Sequence, residues 1–177
     1  LATAKTIAQR QARMVYYFSM EYLPGRLFMN NLTNLCSVEV VRIVLQSMNR
    51  NFRDIAERED DPGLGNGGLG RLASCLLDSL ATQHYPAQGY GLRYQYGIFE
   101  QQLWGGAQVE VPDCWLLNEN PWEFRRDLRL VHVNSCGTAI PSVNLHGDEI
   151  MELKDAEDVG ALPYDFPIVG YSKESNF

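Results

Sequence analysis

A glycine-rich loop in the first half of the chain carries the clearest chemical signal in the sequence. Residues 61–72 read DPGLGNGGLGRL, and a helical pattern of apolar residues begins at Leu72. Glycine lets the main chain approach a ligand closely. A helix that begins directly after such a turn points free N–H groups and the positive end of its dipole at that ligand. The loop therefore predicts a site for an anion, most often phosphate.

The sequence of this loop also fits two other interpretations. Glycines before a helix can simply shape the turn that leads into it, but five glycines with Asn66 among them favour a ligand site. Residues 65–70 also match the dinucleotide fingerprint G-x-G-x-x-G. That fingerprint requires an apolar strand before it and an acid about twenty residues later. An acidic run at 57–61 and the sequence GYGLR at 89–93 stand in those places, so nicotinamide binding is disfavoured.

A second candidate residue, Glu21, follows a continuous apolar and aromatic run at residues 14–20. Such a run is typical of a strand that is buried on both faces, as in a parallel sheet. Open α/β sheets bind ligands at the carboxyl ends of their strands, which makes Glu21 a candidate for binding. It can equally be a structural acid that pairs with Arg26 or caps a helix, and its position alone leaves both interpretations open.

The helices are predicted from hydrophobic periodicity. They cover residues 1–13, 26–35, 38–57 and 70–84. In the third helix, the apolar stripe from Val40 to Ile55 is interpreted as core rather than as part of a cofactor site. His84 follows the last helix, where it can cap the carboxyl end.

The strands are predicted from composition and alternation. Residues 87–99 have strand composition interrupted by glycines, which indicates close approach of the main chain to another group. Their aromatic rings can stack on sugars or fill a core, and the core interpretation is favoured. Short alternating stretches at 100–115 and 128–153 predict antiparallel β structure. His132 and His146 on these strands are interpreted as structural groups.

Composition limits the classes of protein to be considered. The chain has 177 residues and a net charge of −7, which argues against broad binding to nucleic acid or to an anionic membrane. It contains no apolar run near eighteen residues. We expect part of a longer protein, because Leu1 opens inside a helical pattern and Phe177 closes without a stop signal. The cysteines lie far apart, so no zinc site is expected, and they are interpreted as reduced cytosolic thiols: Cys36, Cys75, Cys114 and Cys136.

Several stretches taken together resemble the α-glucan phosphorylases, the family that acts on glycogen, starch or maltodextrin. Their order and spacing agree along nearly the whole chain, and together they are highly specific. The matching stretches are residues 15–26, 63–72, 77–82, 89–94, 97–99, 120–123 and 163–165.

The resemblance implies phosphorolysis. In this family, inorganic phosphate cleaves the terminal α-1,4-linked glucose of a glucan and releases glucose 1-phosphate with retention of configuration. Pyridoxal 5′-phosphate serves as the cofactor and acts through its own phosphate group as an acid and base. The family tends to form homodimers, and the full-length protein is expected to be cytoplasmic. Residues 83–88, 100–104 and Ala107 depart from the common pattern and bear on the preferred length of the glucan.

The resemblance also implies an architecture. The active site lies between the two Rossmann-like domains of a GT-B-type glycosyltransferase fold, and residues 1–177 are an incomplete N-terminal domain. Within it, residues 1–99 form an α/β core that contains the glycine loop 63–70, and residues 100–177 form a β-rich extension. The fold class expected is therefore α/β, with an antiparallel β-rich segment after about residue 100.

Particular residues acquire roles through the resemblance. The N–H groups of Gly67 and Gly68 meet the substrate phosphate, and the main chain of Leu69 contacts the glucosyl unit. Asn66 shapes the turn together with Gly70, and Glu21 matches an acid near the glucan end of the site. The residue near the cofactor is Leu23. Arg71 belongs to the matching stretch, but no role for it follows from the sequence.

No complete catalytic set is expected in this chain. In the family, the lysine that holds the cofactor, the cationic residues that bind phosphate and the histidine of the catalytic loop belong to later sequence. The chain alone is therefore expected to be inactive and not to bind pyridoxal phosphate covalently. The alternative from another class is a non-catalytic module that binds a glucan or a sugar phosphate through the same loop.

Overall fold

A computed structural model describes residues 2–171. Residues 2–122 and 167–171 form one compact unit, and Glu123–Phe166 form a second. Leu1 and Phe177, on which the expectation of a longer protein depends, lie outside the described residues. The glycine loop belongs to the first unit.

The helices of the first unit largely follow the predicted periodicity. They are α1 Ala2–Arg10, α2 Leu27–Asn34, α3 Val38–Ser47, α4 Phe52–Ala56 and α5 Gly68–Thr82. The prediction of one helix over 38–57 is wrong in its middle, because the chain turns between Ser47 and Phe52. Asn49 adopts a left-handed φ of 54°, which asparagine tolerates better than most residues. The side chain of Asn51 then accepts a hydrogen bond from Arg53 N and caps α4.

A two-stranded parallel sheet is formed by β1 Val15–Phe18 and β2 Ala87–Tyr90. The predicted parallel pairing is confirmed, but the predicted burial on both faces is wrong, since Phe18 is 76% exposed. Only two strands pair in this sheet within the described residues, and six of their eight residues are exposed. The predicted strand 87–99 is also shorter, because it ends at Tyr90.

Tyr22 explains two of the three glycines of this segment. A Cβ at Gly89 would lie 3.0 Å from the Tyr22 hydroxyl oxygen, and a Cβ at Gly91 would lie 2.7 Å from the edge of the ring. The hydroxyl group also donates a hydrogen bond to the Tyr17 carbonyl over 2.8 Å. The close approach indicated by the sequence is therefore packing against an aromatic ring.

The predicted antiparallel structure after residue 100 is confirmed. In the first unit, β3 Glu100–Trp104 and β4 Ala107–Val111 form a hairpin. Three antiparallel pairs form the second unit. They are β5 Phe124–Arg125 with β10 Tyr164–Asp165, β6 Val131–Ser135 with β9 Glu157–Ala161, and β7 Thr138–Val143 with β8 Glu149–Lys154. A short 3-10 helix, Asp127–Arg129, follows β5.

The buried apolar side chains of the first unit come from distant parts of the chain. They are Leu27, Ala73, Trp115 and Val169. The interpretation of the α3 stripe as core is wrong for much of its length, since Val40 is 64% exposed and Met48 is exposed as well. The main helical neighbours of α3 among the described residues are α2 and α4, which adjoin it in sequence and leave these side chains exposed.

Glu59 joins three parts of the first unit. Its carboxylate accepts hydrogen bonds from the main-chain N–H groups of Leu27 and Phe28, at distances of 2.9 to 3.1 Å, where α2 begins. It also accepts a 2.6 Å hydrogen bond from the indole N–H of Trp122. A carboxylate in this position satisfies otherwise free donors and stabilises the positive end of the helix dipole.

We expect Glu59→Ala to lower the free energy of unfolding by roughly 2 kcal/mol, because it leaves these part-buried donors without an acceptor. The matched control is Glu57→Ala, two residues earlier. Glu57 makes an exposed ion pair with Arg53, so its loss should cost less than about 0.5 kcal/mol. Urea denaturation of both variants measures the difference. Equal losses of unfolding free energy in the two variants would show that the hydrogen bonds of Glu59 contribute no more to stability than an exposed ion pair.

Candidate functional site

The main chain at the start of α5 has several unbonded donors. Gly67 is the N-cap residue, and no side chain caps the helix. The first bond of the helix runs from Arg71 N to Gly67 O over 2.9 Å. Within residues 2–171, the N–H groups of Gly67, Gly68 and Leu69 make no hydrogen bond to another protein group. These donors are free to bind an acceptor from outside the chain.

The glycines of the loop fall into two groups. Three of them are buried: a Cβ would collide with Trp115 at Gly63 or with the Tyr22 carbonyl at Gly65, and would make a tight 3.1 Å contact with Glu21 at Gly70. A Cβ at Gly67 or Gly68 would meet nothing within 4 Å, and both residues are exposed. Close packing thus explains Gly63, Gly65 and Gly70. Packing within the described residues does not explain Gly67 and Gly68.

Residues 21–24 run beside the loop and hold it. Tyr22 N donates to Leu64 O and Leu23 N donates to Gly70 O, both over 2.9 Å. The Arg71 guanidinium donates back to the carbonyls of Leu23 and Pro24, at 3.3 and 3.2 Å. Arg71, for which no role followed from the sequence, therefore holds the first turn of α5 to this segment.

Glu21 lies at the same junction. One carboxylate oxygen accepts a 3.0 Å hydrogen bond from Asn66 N, and the other accepts a 3.3 Å bond from the Asn66 side-chain amide. These are the bonds that Glu21 makes, in place of the ion pair with Arg26 that the sequence left open. The structure thus brings the candidate residues into one neighbourhood, with Leu69 61% exposed at its edge.

Comparisons with known proteins show the family of this chain. Residues 45–176 match the family model described as carbohydrate phosphorylase. The chain belongs to this family. It is 45% identical over 175 residues to the glycogen phosphorylase of Chlamydia pneumoniae. This match covers 99% of the chain and 21% of that protein. The chain is 42% identical over 171 residues to the glycogen phosphorylase of Bacillus subtilis, covering 97% of this chain and 21% of that protein.

A plant relative matches the phosphorylase chain to a similar extent. The alpha-1,4 glucan phosphorylase L-2 isozyme of Solanum tuberosum, a chloroplastic or amyloplastic protein by name, is 42% identical over 174 residues. This match covers 98% of the chain and 18% of that protein. The phosphorylase chain thus spans about a fifth of the length of the curated relatives it matches.

Two open clefts are lined by residues outside the glycine loop. One, of about 520 Å³, lies where α3 turns into α4, and Arg42, Arg50 and Arg53 contribute to its lining. The guanidinium groups of Arg42 and Arg53 are already paired with glutamates on the same helices. The other, of about 500 Å³, lies along the exposed β7–β8 hairpin. Neither lining includes Glu21 or a residue of the glycine loop, so the glycine loop remains the candidate site.

The part of the chain between residues 2 and 171 contains no cluster of side chains that could hold a metal ion, and its four cysteines are unpaired. His132 is paired with Asp158, with 2.9 Å between Nδ1 and a carboxylate oxygen, in agreement with the structural role predicted for it. None of the helices in this part of the chain is long and apolar enough to cross a membrane.

One acid of α5 has a shifted pKa. Burial raises the pKa of Asp78 above its ordinary value of 3.8, and the charge of Arg71 opposes part of that shift. The folded chain therefore holds this proton more tightly than the unfolded chain does. Ionisation of Asp78 thus lowers stability progressively as the pH rises above the unfolded value.

We expect Asp78→Asn to raise the midpoint of thermal unfolding at pH 7, because the amide carries no charge to desolvate. The gain should shrink as the pH falls and vanish below about pH 3, where the carboxyl group is protonated in both states. Melting curves at a series of pH values measure this trend. A gain that does not depend on pH would contradict the assignment.

Proposed function

We propose that this chain is the N-terminal part of a GT-B-type α-glucan phosphorylase. In the full-length protein, phosphate cleaves the terminal α-1,4-linked glucose of glycogen or a related glucan and glucose 1-phosphate is released. The observation that carries the proposal is the set of free N–H groups at Gly67, Gly68 and Leu69. It is supported by the family of the chain and by relatives that are named glycogen phosphorylase.

In this proposal, each residue at the junction has a distinct task. The N–H groups of Gly67 and Gly68 bind the substrate phosphate, and the positive end of the α5 dipole favours its negative charge. The main chain of Leu69 contacts the glucosyl unit, while Asn66 shapes the turn. Donors fixed before the substrate arrives orient phosphate toward the glucosyl carbon without further reorganisation.

The cofactor implied by the family is pyridoxal 5′-phosphate, which supplies an acid and base group through its own phosphate. The described residues do not fit a covalent site for it, because Lys5 lies on α1 and Lys154 lies on β8 in the second unit. Neither lysine belongs to the loop or to the segment bonded to it. We propose that the lysine lies in the remainder of the polypeptide and that Leu23 provides an apolar neighbour for the cofactor.

The proposal extends to the organisation of the whole protein. Residues 1–99 form the α/β core of the first Rossmann-like domain, and residues 100–177 form its β-rich extension. The full-length protein is a cytoplasmic homodimer whose partners are the glucan, inorganic phosphate and glucose 1-phosphate. It binds neither nucleic acid nor a membrane.

Activity of the full-length polypeptide tests the proposal. The protein, purified with its cofactor and checked for pyridoxal absorbance, is incubated with glycogen and with or without inorganic phosphate. Glucose 1-phosphate should form only when phosphate is present. A protein that holds the cofactor but shows no phosphate-dependent release would disprove the function proposed here.

The alternative, a binding module that needs no further sequence, is tested with the 177-residue chain alone. An exposed helix end contributes only about 0.3–1 kcal/mol toward an anion, so the chain alone should bind very weakly. Calorimetry with a maltooligosaccharide and with glucose 1-phosphate should therefore show no saturable heat. Saturable binding to the isolated chain would favour the module.

A further inference from the structure

We infer that Glu21 is a positioning residue, which holds Asn66 so that the N–H groups of Gly67 and Gly68 face outward. This inference rests on the proposed function of the loop and changes the role of Glu21 within it. The resemblance assigns Glu21 to the glucan end of the site. The hydrogen bonds instead connect its carboxylate to the residue directly before the phosphate-binding glycines.

The carboxylate holds Asn66 at two points. One oxygen accepts from the main-chain N–H of Asn66 at 3.0 Å, and the other accepts from its side-chain amide at 3.3 Å. Fixing the main-chain N–H fixes the plane of the peptide between Gly65 and Asn66, since a peptide bond is planar. A Cβ at Gly67 or Gly68 would meet nothing within 4 Å, and α5 holds these glycines from one side through the bond from Arg71 N to Gly67 O. The Glu21 carboxylate adds a restraint at Asn66, on their other side.

Hydrogen bonds hold the main chain at Glu21 and at the residues that follow it. Its main-chain N–H lies 3.3 Å from the Ser19 hydroxyl oxygen, and that hydroxyl donates a 2.7 Å hydrogen bond to the Glu21 carbonyl. On the other side, Tyr22 and Leu23 are bonded to the loop. Gly70 packs so closely that a Cβ there would lie 3.1 Å from the Cβ of Glu21. A side chain anchored in this way can hold a flexible turn.

A positioning role depends on the length of the Glu21 side chain, whereas an electrostatic role depends on its charge. The two roles predict opposite results for two substitutions of Glu21. Glutamine keeps the length of the side chain and one carbonyl acceptor for Asn66 N but removes the charge. Aspartate keeps the charge but is one methylene too short to reach. If Glu21 positions the loop, Gln should preserve function and Asp should not. If its charge matters instead, through attraction to the glucan end or repulsion of phosphate, Asp should preserve the wild-type behaviour and Gln should change it.

Steady-state kinetics of the full-length holoenzyme separate these outcomes. We expect Glu21→Ala and Glu21→Asp to raise the KM for phosphate about tenfold to hundredfold, with the KM for glycogen unchanged. Glu21→Gln should remain within about threefold of the wild type. The effect of Glu21→Ala should also be smaller when Asn66 is already alanine, because the two residues share an interaction. A raised KM for glycogen, or an Asp variant better than Gln, would overturn the inference.

Hydrogen exchange gives a readout that needs no catalysis. The Asn66 N–H should be protected in the wild type and in Glu21→Gln, and should exchange faster in Glu21→Ala and Glu21→Asp. Mass spectrometry of a peptide that covers residues 64–68 measures this in the full-length protein, and melting curves check that each variant folds. Unchanged protection in Glu21→Ala would reject the positioning role. An inactive wild type with the expected exchange pattern would instead reject only the proposed function.

Discussion

Replacing Gly68 by valine should raise the KM for phosphate about a hundredfold in the full-length polypeptide, while the fold is retained. The side chain at this position would enter open space beside the free N–H groups, where a phosphate oxygen binds in the proposed function. It would meet no protein atom within 4 Å at Cβ, so stability should hardly change. Phosphate titration of the initial rate, together with a melting curve, measures both effects.

The control for this prediction is a smaller substitution at another glycine of the loop, two residues later. Gly70 is buried, and a Cβ there would lie 3.1 Å from Glu21 and 3.3 Å from Leu23 N. Gly70→Ala should therefore lower the melting temperature, in contrast to the Gly68 variant. Unchanged phosphate kinetics in Gly68→Val would remove the loop from the proposed site.

Removing the Trp115 side chain should lower the free energy of unfolding by about 3–5 kcal/mol. Trp115 is only 4% exposed, and its indole N–H donates a 3.2 Å hydrogen bond to the Tyr94 carbonyl. Its ring also fills the space beside Gly63, at the start of the glycine loop. Trp115→Ala thus removes a buried ring, leaves a carbonyl without its donor and opens a cavity beneath the loop.

Trp104 provides the matched control, because it is the same residue type on the same unit but is 79% exposed. Trp104→Ala should change the free energy of unfolding by less than about 0.5 kcal/mol. Urea denaturation followed by circular dichroism compares the two variants. Similar losses at both positions would show that Trp115 does not support the core of the first unit.

Local signals in the sequence were sufficient for several elements. The glycines at 63–70 and the apolar periodicity after them predicted a helix that opens from a turn, and α5 begins at Gly68. Alternating stretches after residue 100 predicted antiparallel strands, which the hairpins confirm. These features depend on neighbours only a few positions apart, so their cause is contained in short windows of sequence.

Burial was predicted less well, because it depends on what covers a surface. The run 14–20 was expected to be covered on both faces, yet Phe18 is largely exposed. The stripe on α3 satisfies helical spacing, but Val40 and Met48 also remain uncovered among the described residues. Periodicity gives the apolar side of an element and does not supply the partner that packs against it.

The sequence by itself determined that a bare glycine loop opens a helix, because glycine content and helical periodicity act over a single turn. Only the tertiary structure decided which glycines are needed for packing, since Gly63 meets Trp115 and Gly70 meets Glu21 across long stretches of chain. It also decided that Glu21 binds Asn66, 45 positions away, rather than Arg26. Such contacts arise when distant segments fold together, and no spacing rule within one segment contains them.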